Sequence, residues 1–133
     1  MKGIFYFLTS ILLTCGAYCT VASPITVSGN LGFTSGQLPI DPTTGQMVQS
    51  DIATLTTLTL SNLKTVLKTK GFKLKNVLNT VVYLTDIRDY EAMLQAYSAV
   101  FNMPNPPSME VIEASNLPLR ARIQISCIAD SNR

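Results

Sequence analysis

The stretch Asn79–Tyr90, NTVVYLTDIRDY, constrains this chain more than any other. Val81, Val82, Tyr83 and Leu84 form an unbroken apolar run of β-branched and aromatic residues. Such a run suits a strand covered on both faces rather than one that alternates with water. Helical patterns lie on either side of it and no charge occurs before Asp86, so it reads as the centre of a sheet. Thr85-Asp86 closes the strand and can cap the next helix.

Upstream, Ile25 and Val27 alternate with Thr26 and Ser28, Gly29-Asn30 is a two-residue turn signal, and Leu31-Gly32-Phe33-Thr34 returns, so Pro24–Gln37 predicts a hairpin. Gly32 inside the returning strand implies a bulge or a close approach. Leu38–Val48 reads as a loop, with turn residues in Asp41-Pro42-Thr43-Thr44-Gly45. Ser50 is the expected N-cap of a first helix. Ile52, Leu55, Leu63, Val66 and Leu67 give that helix its spacing, and Gly71 stops it. After the central strand, Tyr90, Met93-Leu94, Tyr97 and Val100-Phe101 predict a second helix, starting near Asp89 and ending in the proline-rich Asn102–Pro107. Glu110–Glu113 and Ala121–Ala129 complete the set as strands. Ile123 and Ile125 fall on one face of the last strand, Arg122 and Gln124 on the other.

The order is therefore ββαβαββ: an α+β domain with a single sheet and two helices on one face. The face left without helices calls for burial elsewhere, and oligomerisation is the obvious route. At 133 residues the chain makes one domain. It contains no His, which removes imidazole bases and most zinc chemistry, so no metal and no cofactor is expected. A net charge of +2 makes no case for nucleic acid, and the lysines around Lys64–Lys75 read as a solvated helix end. Of the three cysteines, only Cys127 lies clearly inside the domain, which argues against a disulfide framework.

The N-terminal segment stands apart. Met1–Ser23 has a basic start at Lys2, an apolar run from Ile4 to Leu13 and a small-residue exit. These are the parts of a secretory signal peptide, and the run is too short for a stable membrane span. The domain then covers 24–133. Cleavage implies a secreted or periplasmic protein; the alternative is that the segment is a first strand of the domain.

Several of these residues together resemble one family. Phe33-Thr34-Ser35-Gly36-Gln37-Leu38-Pro39 with Asp41-Pro42 and Gly45 is similar to the opening motif of the RidA/YjgF family, also called the endoribonuclease L-PSP family. Asn62-Leu63-Lys64 with Val66-Leu67 and Gly71 is similar to its first helix, and Val81–Asp86 with Tyr97 and Phe101 to its central strand and second helix. Leu117-Pro118 and Ile123–Ala129 are similar to its ending. The resemblance spans about Gly29–Ala129.

The resemblance implies a chorismate-mutase-like fold and a homotrimer with small-molecule clefts between subunits. Without a cleaved leader, it implies a cytoplasmic or mitochondrial location. The implied activity is hydrolysis of 2-imino acids and their enamines, such as 2-iminobutanoate and 2-iminopropanoate, to ammonia and 2-oxo acids. Catalytic members grip the substrate carboxylate with an Arg two residues after a Pro, a fork suited to two parallel hydrogen bonds. In this chain Pro107-Ser108-Met109 places Met109 at that position, and Met cannot bind a carboxylate. The family's water-positioning Glu on the last strand falls at Ser126. The cleft-lining set implied by the resemblance is Ser35, Gly36, Met109, Ser126 and Cys127. A turn at a strand end is the plainer reading of Ser35 and Gly36, and a buried small apolar residue the plainer reading of Cys127. The alternative function is a non-catalytic trimer that binds a small ligand or acts as a chaperone.

Overall fold

The computed structural model describes residues 23–133, so the expected leader lies outside the described residues except for Ser23. The strands are β1 (Ile25–Ser28), β2 (Leu31–Thr34), β3 (Val77–Leu84), β4 (Ser108–Glu113) and β5 (Ile123–Asp130). The helices are α1 (Ile52–Lys68) and α2 (Tyr90–Val100). This is the expected ββαβαββ order. The five strands form one sheet in the order β1-β2-β5-β3-β4, antiparallel except for the parallel pair β3 and β4.

The sheet corrects two expectations. The middle strand is β5, not the Val81–Leu84 strand, which lies one place nearer the edge. Nor is that strand covered on both faces within the chain. Val82 and Leu84 are buried under the helices, while Val81 and Tyr83 are only half-buried on the other side. Both β3 and β4 also begin earlier than expected, at Val77 and Ser108. A register shift between Val77 and Asn79 interrupts the two-residue period at the start of β3.

The core lies between the helices and one face of the sheet. β5 alternates without a break: Ile123, Ile125, Cys127 and Ala129 are buried, and Gln124, Ser126, Ile128 and Asp130 are half-buried on the opposite face. Onto the buried row α1 sets Leu55, Leu60, Leu63 and Leu67, and α2 sets Met93 and Tyr97. Each such side chain contributes about 1.5–3 kcal/mol on leaving water. Threonine is frequent in α1 for a helix, yet Thr56 and Thr59 are fully buried without cost in unmet hydrogen bonds. Their hydroxyls donate to the carbonyls of Ile52 and Leu55, at 2.7 Å each. Gly32 sits under the Phe72 ring, where a Cβ would come within 3.0 Å of two ring carbons, which is the close approach its place in the strand implied. Among the described residues no helix is long and apolar enough to cross a membrane.

The helix starts are tied to the sheet by one cation. Arg122 Nη2 pairs with the Asp89 carboxylate at 2.7 Å just before α2, and Nη1 donates to the Ser50 carbonyl at 3.0 Å just before α1. Arg122 is thus engaged within the chain and not turned to solvent alone. The loop that delivers it is strained: Leu119 and Arg120 both adopt φ of 58°, in the left-handed region.

The cap of α1 is Asp51, not Ser50. Asp51 Oδ1 accepts the Thr54 N–H at 2.9 Å, and its Oδ2 accepts the Thr54 hydroxyl. The Thr54 N–H, and after it the Thr54 hydroxyl, hold this carboxyl below its usual range. A depressed carboxylate stabilises the fold above its unfolded value and loses that contribution as the pH falls. Asp51→Ala should therefore lower the urea midpoint at neutral pH, with the deficit shrinking on acidification below about pH 4. Ser50→Ala, measured alongside, should leave the midpoint unchanged, and an equal loss in both variants would refute Asp51 as the cap.

Candidate functional site

The sheet sorts the expected site residues onto two faces. On the helix side, Thr34, Cys127, Thr80 and Met109 fall in one row across β2, β5, β3 and β4. Thr80 is opposite both Cys127 and Met109 in the strand register. Thr34 follows at the end of β2, where its Oγ1 accepts the Cys127 N–H at 2.9 Å. Thr80 is fully buried and its hydroxyl shares a 2.7 Å hydrogen bond with the Tyr97 hydroxyl. Tyr97 stacks on Phe101 with ring centroids 4.7 Å apart.

Met109 lines a cleft of about 400 Å³ between the end of α2, the 102–107 loop and the start of β4. Tyr97, Phe101, Met103, Pro106 and Pro107 share the lining, together with Leu94 and the polar residues Ser98 and Asn102. No charged residue lines it. Sequence reasoning reached Met109, Tyr97 and Phe101 one at a time, but assigned the two aromatics to the core. Both are core residues, at 5% and 3% exposure, and still present an edge to the cleft.

The other face holds the rest of the set. Ser126 pairs with Val81, which in turn faces Glu110 on β4, so Ser126 is turned away from Met109. Gln37 bridges to Ile125 by two backbone hydrogen bonds, at 2.7 and 3.0 Å, which brings the Ser35-Gly36 turn against the start of β5. There Gln124, one pleat before Ser126, lies directly over Gly36. A Cβ at Gly36 would meet the Gln124 side chain at 2.4 Å, so the carboxamide lies in the space that glycine leaves open and would have to swing aside for any larger residue. Gln124 is a neighbour of the expected set that the sequence pattern did not single out. The signal available in the sequence was a polar residue on the outward face of β5. Ser35 has a local role: its N–H and its hydroxyl both reach the Pro24 carbonyl, and its Oγ accepts from Gln37.

Within one chain, then, Met109 and Cys127 share the helix side while Gly36, Gln124 and Ser126 share the other face. Among the described residues no group of His, Cys, Asp and Glu is placed to hold a metal ion.

Cys127 is a buried thiol, and burial pushes it up to about 11 against a weaker opposing hydrogen bond from Thr34. A raised thiol favours folding while protonated, in full below its ordinary value near 9, and this contribution is lost as the pH climbs from there toward 11. At pH 8 the thiolate is roughly one part in a thousand, too little for a nucleophile. Peptide mapping after iodoacetamide treatment at pH 8 should find Cys127 unmodified in the native protein and fully modified in urea. Rapid native modification would contradict both the burial of this thiol and its protonation.

Comparison with known proteins accords with this geometry. The family model described as Endoribonuclease L-PSP matches residues 13–131. A RutC family protein of Pyrococcus horikoshii is 38% identical over 102 residues, covering 77% of this chain and 80% of that protein. The 2-iminobutanoate/2-iminopropanoate deaminase of Escherichia coli is 33% identical over 103 residues, covering 76% and 80%. Among solved structures, the YjgF gene product of E. coli superimposes with a TM-score of 0.80 at 28% identity, over 88% of this chain and 93% of that one. With nearly the whole described domain matched in sequence and in fold, the chain belongs to the RidA/YjgF family of endoribonuclease L-PSP proteins.

Proposed function

We propose that this chain is a RidA-type protein whose inter-subunit clefts receive small imines or enamines that lack a carboxylate, and release ammonia and the corresponding 2-oxo compound. The observation that carries this reading is Met109. It stands where the family resemblance expects the carboxylate-gripping Arg, and it lines a cleft without a charged residue. The deaminase activity named for the E. coli relative supplies the reaction class. A thioether offers no strong donor, and an uncompensated carboxylate in such a lining would lose its hydration without replacement. The second reading, a cleft that binds without catalysis, draws on the same Met109 and on Ser126 at the position of the water-positioning Glu.

Single-turnover formation of 2-oxo acid from 2-aminoacrylate generated in situ tests the reading. The wild-type chain should give no acceleration over buffer. Met109→Arg should raise turnover about ten- to hundredfold, since a charge-assisted hydrogen bond contributes roughly 1.5–3 kcal/mol and each ~1.4 kcal/mol is tenfold in rate. Ser126→Glu and Gln124→Glu, each added to Met109→Arg, identify which outward position of β5 places the water. A wild type as fast as any of these variants would defeat the role assigned to Met109.

In this reading the clefts are completed between copies in a trimer, as the family resemblance implies, and two features support association of the copies. The face without helices carries Phe33, Ile128, Val81, Tyr83 and Ile112, and both Phe33 and Ile112 are 41% exposed in the single chain. Moreover, Met109 and Gln124 point to opposite sides of one sheet, so they can converge only between copies. Sedimentation equilibrium at micromolar concentration should return three times the chain mass, and a monomer mass would remove both the trimer and the shared cleft.

A further inference from the structure

The uncharged cleft beside Met109 holds two polar side chains that nothing in the fold employs. Ser98 lies on the last turn of α2 and Asn102 four residues later, beyond the helix end; both line the cleft and both are exposed to solvent in the single chain. Among the described residues neither side chain has a hydrogen-bond partner. A carboxamide offers one acceptor and two donors, and a hydroxyl offers both roles. Such a pair matches a group that both donates and accepts, and a carboxylate only accepts. The Tyr97 hydroxyl is not available to a ligand in the same way, since it is already shared with Thr80.

Among the described residues no Lys or Arg lines the cleft. Arg88 is paired with Asp86 and Arg122 with Asp89. Arg133 commits its guanidinium to the carbonyls of Val77 and Asn105. The rest of the lining is apolar and polarisable: the thioethers of Met103 and Met109, the edges of Tyr97 and Phe101, and two prolines.

We propose that this cleft takes 2-imino carboxamides, the neutral counterparts of 2-imino acids, with Asn102 and Ser98 reading the ligand amide and Met109 packing on its short alkyl end. The assignment rests on the RidA-type function and names its substrate class. In the reaction, 2-aminoacrylamide tautomerises to 2-iminopropanamide. Water adds to the imine carbon, the bond from that carbon to the imine nitrogen breaks, and ammonia leaves with the transferred protons. The product is 2-oxopropanamide. The amide bond is untouched and nothing is oxidised or reduced.

The stable products separate ligand class from chemistry. 2-Oxopropanamide and pyruvate are titrated separately into the full chain, with affinity read by calorimetry and the site by the methyl resonances of Met103 and Met109. The amide should bind at least about tenfold more tightly than pyruvate and shift both methyls. Ser98→Ala and Asn102→Ala should each weaken it by about fivefold, the worth of one neutral hydrogen bond. Met109→Arg should reverse the preference toward pyruvate. Equal or tighter binding of pyruvate by the wild type overturns the proposal, as does amide binding indifferent to Ser98 and Asn102, or no amide binding at all. Ammonia release from 2-aminoacrylamide, formed by elimination of chloride from 3-chloroalaninamide, is the separate arm. Selective amide binding without faster ammonia release upholds the ligand class and removes the deaminase reading. Preference for pyruvate with rapid deamination of 2-aminoacrylate does the reverse.

Discussion

The fold depends on the unbroken alternation of β5. Its buried row receives both helices, and its backbone pairs with β2 on one side and β3 on the other. Because the period of a strand is two, that burial also decides what the opposite face displays. Gln124, Ser126 and Ile128 look outward because Ile123, Ile125, Cys127 and Ala129 look inward. A slip of one residue would bury a carboxamide and a hydroxyl without partners and expose the isoleucines. The same constraint separates Met109 from Gln124: each sits where the pleat puts it, on opposite sides of one layer.

Much of this is legible in the chain alone. The hairpin, both helices and the outward position of Gln124 follow from patterns of period two and period 3.6 written in side chains that pack locally. The features that escaped have a common character. Strand order is set by pairing across long separations, so nothing near Val81 reveals that β5 occupies the middle. The early start of β3 is hidden by the register shift at Val77–Asn79, which breaks the period being sought. Ser50 and Asp51 are adjacent residues of good capping type, and only the backbone direction chooses between them. At the site, Gln124 and Ser126 lie on the same face by any count. Which one meets Gly36 is decided by the Gln37–Ile125 bridge, a contact between segments 88 residues apart by their numbers, 125 − 37.

The shape of the cleft does not depend on the side chain at position 109. The Tyr97–Phe101 pair, the proline loop and the β3–β4 ladder are held by packing and backbone hydrogen bonds that do not involve the side chain at Met109. That position is half-buried against the core, so an unbranched thioether is accommodated at little structural cost.

The place of β5 in the sheet also bears on how the chain reaches its native state. The strand that joins the hairpin to the β3–β4 pair is the last of the five in sequence. Until it arrives, β2 and β3 each present an open backbone edge, and α1 has only part of the surface it covers. The contacts that close the domain are therefore non-local, the kind that forms slowly and leaves strand edges exposed meanwhile. A nascent chain that stops short of Ile123 has two half-sheets and no layer between them, so the domain stays open to stray pairing until its final strand emerges.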